Sequence, residues 1–285
     1  MDVSIIIVSY NTAQPITDCL KSVQNSSGVD KEIFVVDNAS SDNSVELIAA
    51  RFPAVKLLAN EDNKGFGAAN NQGLPLCNGR YVIFLNPDTT IKEDTLQKAV
   101  SYMDENKHIG LAGARILNPD KTVEESVSYR YPGQKYTTGE VAGMKGNIAC
   151  VLGAFMIARK PLLDELGGFD EDFFLYGEDQ DLCWRIREKG YCVGFIEDAS
   201  VVHLGGQSEI KTTPVALFEK KLKAEYLFYK KHYTANTINR IKKAQRLKAK
   251  YRLITLKLSL LFAGNQIVHS NKIACYKIAL QLAQE

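Results

Sequence analysis

The chain begins on a nearly continuous apolar run, Val3-Ser4-Ile5-Ile6-Ile7-Val8, and short runs of this kind recur through its first half. Residues 32–36, 55–59 and 80–85 read as further strands, because such runs are too brief for core helices and are bounded by turn residues. Amphipathic stretches lie between them. Residues 15–24 predict a helix with Pro15 in its first turn. Ser41 or Asp42 can cap a second helix that runs to Phe52 and stops at Pro53. Gly65-Phe66-Gly67 opens a third, and residues 92–105 form a fourth. Strands alternating with helices at this spacing predict an α/β domain with a mostly parallel sheet covered by helices on both faces.

Beyond residue 110 the pattern loosens. Residues 110–115 and 154–159 read as strands, with an irregular polar stretch over 118–146 expected to cover the site. Residues 162–167 predict a short helix ended by Gly167-Gly168, and 181–189 a helix stopped by Gly190. Residues 192–196 and 200–203 read as two strands. After Pro214 the composition changes, and residues 217–233 and 238–262 alternate Lys or Arg with Leu, Ile, Phe and Tyr. The expected organisation is an α/β body over 1–210 and a basic helical extension over 211–285.

Charge sharpens that division. The 285 residues carry a net charge of only +2, but residues 1–210 hold 19 Lys+Arg against 30 Asp+Glu, and residues 211–285 hold 16 against 3. Basic amphipathic helices suit the face of an anionic membrane, and a packed appendage with a solvated Lys face has the same composition. The longest apolar stretch of the extension, residues 253–263, is interrupted by Lys257 and is too short to span a bilayer. No RNA- or DNA-binding motif accompanies the charge, so nucleic acid is not an expected partner. The six cysteines form no C-x-x-C pair, which excludes a zinc site or a disulfide framework as the expectation. The first strand starts without a basic leader, so a cytoplasmic protein is expected, peripheral at the inner face of the cell membrane.

Two acidic turns carry the chemistry. Asn86-Pro87-Asp88 closes the apolar run 81–85, and its hard oxygen ligands suit Mg²⁺ or Mn²⁺. Glu178-Asp179-Gln180-Asp181 follows Phe173-Phe174-Leu175-Tyr176-Gly177 and opens a helix. Acids at a helix N-terminus are favourable in any protein. Asp181 also stands four residues before Arg185, the spacing of a helical ion pair. Residues two apart point to different sides of a helix, so Asp179 is assigned as a general base, Asp181 as structural and Glu178 as orienting.

Three weaker signals surround these. Asp37-Asn38-Ala39-Ser40 follows a strand; its carboxylate can accept from the ring N–H of a pyrimidine, or simply build an Asx turn. Asn63, Gly65, Phe66 and Asn70 lie in a small-residue stretch whose backbone amides suit a diphosphate or a tight turn. It lacks the complete dinucleotide fingerprint, which argues against NAD. His203 ends a strand and can complete a Mn²⁺ shell or serve as an ordinary polar residue.

Together these residues resemble family 2 glycosyltransferases. The resemblance runs through Val8-Ser9-Tyr10-Asn11, Val36-Asp37-Asn38-Ala39-Ser40, Asn63-Lys64-Gly65-Phe66-Gly67, Leu85-Asn86-Pro87-Asp88, Gly167-Gly168-Phe169-Asp170, the stretch 177–185 and His203, over about residues 1–210. It is similar in particular to the rhamnosyltransferases of bacterial O-antigen and cell-wall polysaccharide assembly. The resemblance implies a GT-A fold, an inverting reaction and a divalent metal, Mn²⁺ or Mg²⁺. It further implies a nucleotide-sugar donor (dTDP-rhamnose or a UDP-sugar) and a glycan acceptor linked to polyprenyl diphosphate. On that basis Ser9, Tyr10, Asn11, Asp37, Asn38, Asn63, Gly65, Phe66, Asn70 and Asn86 would contact the donor. Asp88 and His203 would hold the metal, with Asp179 as base beside Glu178. One departure stands out: many relatives carry Asp-x-Asp where this chain has Asn86-Pro87-Asp88, leaving one fewer negative charge at the metal. A sugar-phosphate nucleotidyltransferase would need a Gly-rich basic loop near the N-terminus, where Ser9-Tyr10-Asn11 stands instead. A non-catalytic sugar-nucleotide-binding module is the remaining alternative.

Overall fold

The computed structural model describes residues 1–205, 212–259 and 266–284. The elements run β1 (Val3–Ser9), α1 (Ala13–Gln24), β2 (Lys31–Asp37), α2 (Ser44–Arg51), β3 (Lys56–Ala59), α3 (Phe66–Gly73), β4 (Tyr81–Leu85), β5 (Thr89–Ile91) and α4 (Thr95–Glu105). They continue with β6 (Ile109–Leu117), β7 (Val127–Ser128), β8 (Cys150–Val151), β9 (Phe155–Arg159), α5 (Lys160–Leu166), α6 (Glu178–Glu188) and β10 (Cys192–His203). Three helices follow, α7 (Pro214–His232), α8 (Ala235–Ser259) and α9 (Gln266–Leu282). The chain divides into two compact units, one of Met1–Tyr131 with Met144–Ile210 and one of Pro132–Gly143 with Lys211–Glu285.

The first unit is built on a sheet of order β3-β2-β1-β4-β9-β6-β10-β5. Strands β1 to β4 are mutually parallel where they pair, and β6 pairs in parallel with β10. Only β9 and β5 run against their neighbours. Because β9 opposes both β4 and β6, the C-terminal ends of β1, β2, β4, β6 and β10 share one edge. That is the edge where open α/β sheets bind ligands.

Successive side chains of β1 and β4 feed opposite layers. Ile5, Ile7, Ile83 and Leu85 pack with Ile16 and Leu20 of α1 and Leu96 and Ala99 of α4. Ile6, Val8, Val82 and Phe84 pack with Ala69 of α3, Leu162 of α5 and Leu182 and Ile186 of α6. Strands buried on both faces explain the continuous apolar runs, each buried Leu or Ile side chain contributing roughly 1.5–3 kcal/mol.

The mostly parallel sheet with helices on both faces is as expected, with three local differences. The two strands expected over 192–203 are one strand, β10, whose pairing with β6 shifts register between Ile196 and Ser200. A bulge there accommodates the polar Glu197-Asp198 step without ending the strand. Helix α6 begins at Glu178 rather than 181. β5, β7 and β8 were not anticipated: two or three residues are too few to show a period.

In the second unit, the Tyr233 hydroxyl donates to the Pro132 carbonyl at 2.7 Å, and Glu140 Oε1 accepts from the Thr234 hydroxyl at 2.9 Å. Gly133 adopts φ +68°, and a Cβ there would lie 2.6 Å from Ile241 Cδ1. These contacts join Pro132–Gly143 to the helices, although the sequence reading assigned that segment to the body. The expected boundary between 210 and 211 and the expected helix end at 262 lie outside the described residues. No described helix is long and apolar enough to cross a membrane.

Candidate active site

The edge formed by the strand C-termini gathers the acidic turns. Asp37 ends β2 opposite Ser9 of β1, and the Asn38 N–H donates to the Ser9 carbonyl at 2.7 Å. Pairing of β4 with β9 carries past Leu85, where the Asn86 N–H donates to the Ala154 carbonyl at 3.0 Å. His203 pairs with Thr89, and the Leu204 N–H donates to the Asp88 carbonyl at 3.0 Å. Non-glycine residues with positive φ, Asn11, Ala39, Lys121 and Tyr176, all lie in the loops after β1, β2 and β6 or before α6. Backbone strain of this kind costs about 1–3 kcal/mol per residue and clusters at functional sites.

Asp37 is buried and turned back on its own loop: Oδ1 accepts from the Ser40 N–H at 2.8 Å and Oδ2 from the Ser40 hydroxyl at 2.7 Å. Asn11 Oδ1 accepts from the Ser41 N–H at 2.8 Å, locking the β1 and β2 loops together. Ser9 is buried, with its hydroxyl 3.0 Å from that of Thr12, and Tyr10 is half-buried beside it.

Asn38 is fully engaged in building the neighbouring loop. Its Nδ2 donates to Asn63 Oδ1 at 2.8 Å and to the Gly65 carbonyl at 3.1 Å. Its Oδ1 accepts from Asn60 Nδ2 and from the Lys64 N–H. Gly65 caps α3 at φ +87°, where an added Cβ would lie 2.5 Å from the Phe174 carbonyl oxygen. The Phe66 N–H donates to that same carbonyl at 2.9 Å. This loop is thereby tied to the segment that leads into α6. Asn70 donates to the Phe66 carbonyl, while its buried Oδ1 has no hydrogen-bond partner.

Asp88 and His203 meet at this edge. Asp88 Oδ1 lies 3.4 Å from His203 Nε2, Asn86 Nδ2 lies 3.5 Å from the same nitrogen, and Glu124 Oε2 lies 3.4 Å from His203 Nδ1. Burial opposes the charge on His203, but Asp88 and Glu124 outweigh it and raise the pKa. Ligands about 2.1 Å from one octahedral ion sit about 3 Å apart, so the Asp88 oxygen and His203 nitrogen fit one divalent cation. No three His, Cys, Asp or Glu side chains converge for a metal among the described residues.

Sequence reasoning missed Glu124. It lies on a segment that returns along β6: the Asn118 N–H donates to the Thr122 carbonyl at 2.8 Å, Leu117 bridges Val123, and the Glu124 N–H donates to the Ile116 carbonyl at 2.9 Å. The available signal was Asn118-Pro119-Asp120, a turn that doubles the chain back along β6.

At the N-terminus of α6, Asp179 Oδ1 accepts from the Gln180 N–H at 2.8 Å. Gly153 lies beside this carboxylate: a Cβ added there would be in ordinary contact with Asp179 Oδ2, at 3.8 Å. Gly153 directly precedes Ala154, the partner of Asn86, and both acidic turns are therefore anchored on the loop before β9. Asp181 is buried and accepts from Arg185 Nε at 2.7 Å, the ion pair expected from their spacing. Glu178 is buried, and its Oε2 has no hydrogen-bond partner.

Burial, reinforced by the Asp179 charge, pushes the Glu178 pKa up to about 8. Burial also raises Asp179, against the opposing backbone N–H groups of Gln180 and Gly153. Burial therefore biases both carboxyls of this coupled pair towards their protonated forms, and the charge of Asp179 opposes ionisation of Glu178. The folded chain binds more protons than the unfolded chain between pH 4.5, the unperturbed Glu value, and about 8. Stability from this group therefore falls as pH rises through that window. Glu178→Gln, which mimics the protonated acid, should flatten that slope in thermal unfolding measured against pH. An unchanged slope would show that Glu178 titrates as an ordinary carboxylate.

The model of the glycosyl transferase family 2 matches residues 4–167. Among curated proteins, the chain is 34% identical over 116 residues to the succinoglycan biosynthesis protein ExoO of Rhizobium meliloti, covering 40% of this chain and 32% of that one. It is 26% identical to the poly-β-1,6-N-acetyl-D-glucosamine synthase of Staphylococcus epidermidis over 65% of this chain and 45% of that protein. It thus spans a third to under half of these two relatives. It is 23% identical to the N-acetylglucosaminyl-diphospho-decaprenol L-rhamnosyltransferase of Mycobacterium tuberculosis over 79% of this chain and 82% of that protein. Two solved structures share the fold at 19% identity. The mannosyltransferase PcManGT of Pyrobaculum calidifontis, in complex with GDP-Man and Mn²⁺, has a TM-score of 0.62 and covers 98% of this chain and 86% of its own. S. aureus TarS 1–349 with UDP has a TM-score of 0.55 and covers 80% and 65%.

Proposed function

The chain belongs to glycosyl transferase family 2, and on that premise we propose that it transfers L-rhamnose from dTDP-rhamnose, with inversion, to a polyprenyl-diphosphate-linked glycan in bacterial surface polysaccharide synthesis. The observation that carries the transferase chemistry is the Asp179 carboxylate on the same loop system as Asn86-Pro87-Asp88. Similarity to a rhamnosyltransferase with a decaprenyl acceptor, over most of both chains, favours the sugar and the acceptor class. A UDP-sugar donor is the second reading, favoured by the UDP-bound TarS structure and the N-acetylglucosamine polymer synthase.

In this mechanism Asp37 and the loops it fixes receive the base, whereas the expected diphosphate contacts of the amides entering α3 are not available at Lys64, Gly65 and Phe66, whose N–H groups donate to Asn38, Asn63 and Phe174. Asp88 and His203 would hold Mn²⁺ or Mg²⁺, which when bound offsets charge on the leaving diphosphate. Asp179 takes the proton from the acceptor hydroxyl as that oxygen attacks the anomeric carbon, with Glu178, which burial biases towards its neutral form, beside it. One displacement inverts the configuration. The basic second unit would bring the enzyme to the inner face of an anionic membrane, where a lipid-linked acceptor resides.

Glu124 has a positioning role here. By accepting from Nδ1–H it would fix the His203 tautomer that turns the Nε2 lone pair towards the metal. Glu124→Ala should weaken Mn²⁺ binding by roughly 10–100-fold, and Glu124→Gln, which retains an acceptor, should restore most of it. Equal Mn²⁺ affinities for the wild type and the alanine variant would remove Glu124 from this role. The reaction itself is tested by incubating the protein with dTDP-rhamnose or UDP-N-acetylglucosamine and a polyprenyl-diphosphate sugar. Sugar transfer from dTDP-rhamnose alone supports the lead reading, transfer from the UDP donor the second, and retention of anomeric configuration would overturn the single displacement.

A further inference from the structure

Helix α8 is apolar on two opposite sides. Ile241, Ala249 and Leu256 are buried, as expected for the side that packs within its unit. On the other side Leu247, Tyr251, Ile254 and Leu258 are 62%, 65%, 62% and 62% exposed. At 100° per residue these four positions fall within an arc of about 60°. Single exposed apolar residues are normal, but four large ones aligned over three turns mark a contact surface. The same face continues towards the helix N-terminus as exposed Arg240 and Lys243, and exposed Lys250 and Lys257 border the stripe.

We propose that this face of α8, Leu247, Tyr251, Ile254 and Leu258 with Arg240, Lys243, Lys250 and Lys257, docks flat onto an anionic lipid bilayer. The proposal names the surface behind the membrane association read for the second unit and rests on that reading. Charge selects the occupant. α8 carries eight Lys and Arg and no Asp or Glu in 25 residues. A second copy would bring the same positive charges together, which disfavours self-association. Anionic headgroups complement them, while Lys and Arg stems can lie along the interface with their charges in water. The geometry is that of a helix lying in the interface, in keeping with the absence of a spanning helix among the described residues.

The test is flotation of the full-length protein with phosphatidylcholine vesicles containing or lacking phosphatidylglycerol, at low and high salt. Binding is expected only with phosphatidylglycerol, weakened by salt. Ile254→Ser with Leu258→Ser should lower the partition coefficient at least about tenfold, and Lys243→Gln with Lys250→Gln should lower it and flatten its salt dependence. Both pairs lie on the exposed face, and unchanged thermal unfolding would confirm intact folding. Wild-type binding by the serine variant would overturn the proposal. So would absence of vesicle binding together with a dimer that the serine variant dissolves, which would assign the stripe to a copy–copy contact. Nucleotide-induced thermal shifts measured on the same proteins separate the two readings. Loss of vesicle binding with intact nucleotide shifts strikes only the docking face, and absent shifts in the wild type strike only the transferase reading.

Discussion

Asp179→Asn should lower sugar transfer by roughly 10²–10⁴-fold while leaving nucleotide binding near wild type. The substitution keeps the size and the Oδ1 acceptor that takes the Gln180 N–H, so the first turn of α6 retains its local bond. It removes the carboxylate assigned as proton acceptor, beside a Glu178 whose pKa burial pushes up to about 8. Because burial raises Asp179 above the ordinary carboxylate range, the wild-type rate should fall with decreasing pH sooner than an exposed aspartate would allow. The asparagine variant should lose that limb with the activity. Wild-type kcat in Asp179→Asn, measured with saturating donor, would show that another group accepts the proton.

Asp88→Ala should act on the other half of the site. Removing the oxygen that faces His203 Nε2 at 3.4 Å should weaken Mn²⁺ binding by at least about 10–100-fold, the cost known for outer-sphere partners alone. Its backbone carbonyl still accepts from the Leu204 N–H, so the junction between Asp88 and β10 should survive. The defect should therefore appear as a loss of Mn²⁺-dependent donor affinity, with the metal-independent part of nucleotide binding retained. Identical Mn²⁺ titrations for wild type and Asp88→Ala would place the cation elsewhere. With only Asn86 where a second aspartate could stand, metal affinity in the absence of nucleotide should already be low in the wild type.

How much of this was legible in the sequence depended on the range of the interactions. β1, β2 and β4 were readable because strands buried on both faces must be apolar at successive positions, as Ile5-Ile6-Ile7 is. The separation of Asp179 from Asp181 was readable from helical geometry, and the Asp181–Arg185 pair followed from spacing alone. The antiparallel insertion of β9 between β4 and β6 was not, since strand order is decided by tertiary pairing. That insertion brings Gly153 and Ala154 beside both acidic turns. Asn38 illustrates a second limit: its motif suggested donor contact, whereas its side chain is occupied by Asn60, Asn63, Lys64 and Gly65. Glu124 was hidden because its meaning depends on a partner 79 residues away. The division at Pro132–Gly143 was equally hidden, resting on contacts with residues about a hundred positions later.

The most direct test of the central claim is the thermal shift of the purified protein with dTDP and with UDP, each with and without Mn²⁺. A ligand at 100 times its dissociation constant adds about 2.7 kcal/mol, a shift of several degrees. A Mn²⁺-dependent rise that is larger with dTDP than with UDP is the predicted result, and Asp88→Ala should abolish its Mn²⁺ dependence. A larger rise with UDP would keep the transferase and discard the dTDP-rhamnose donor. No rise with either nucleotide would contradict the account of this sheet edge as a nucleotide-sugar site.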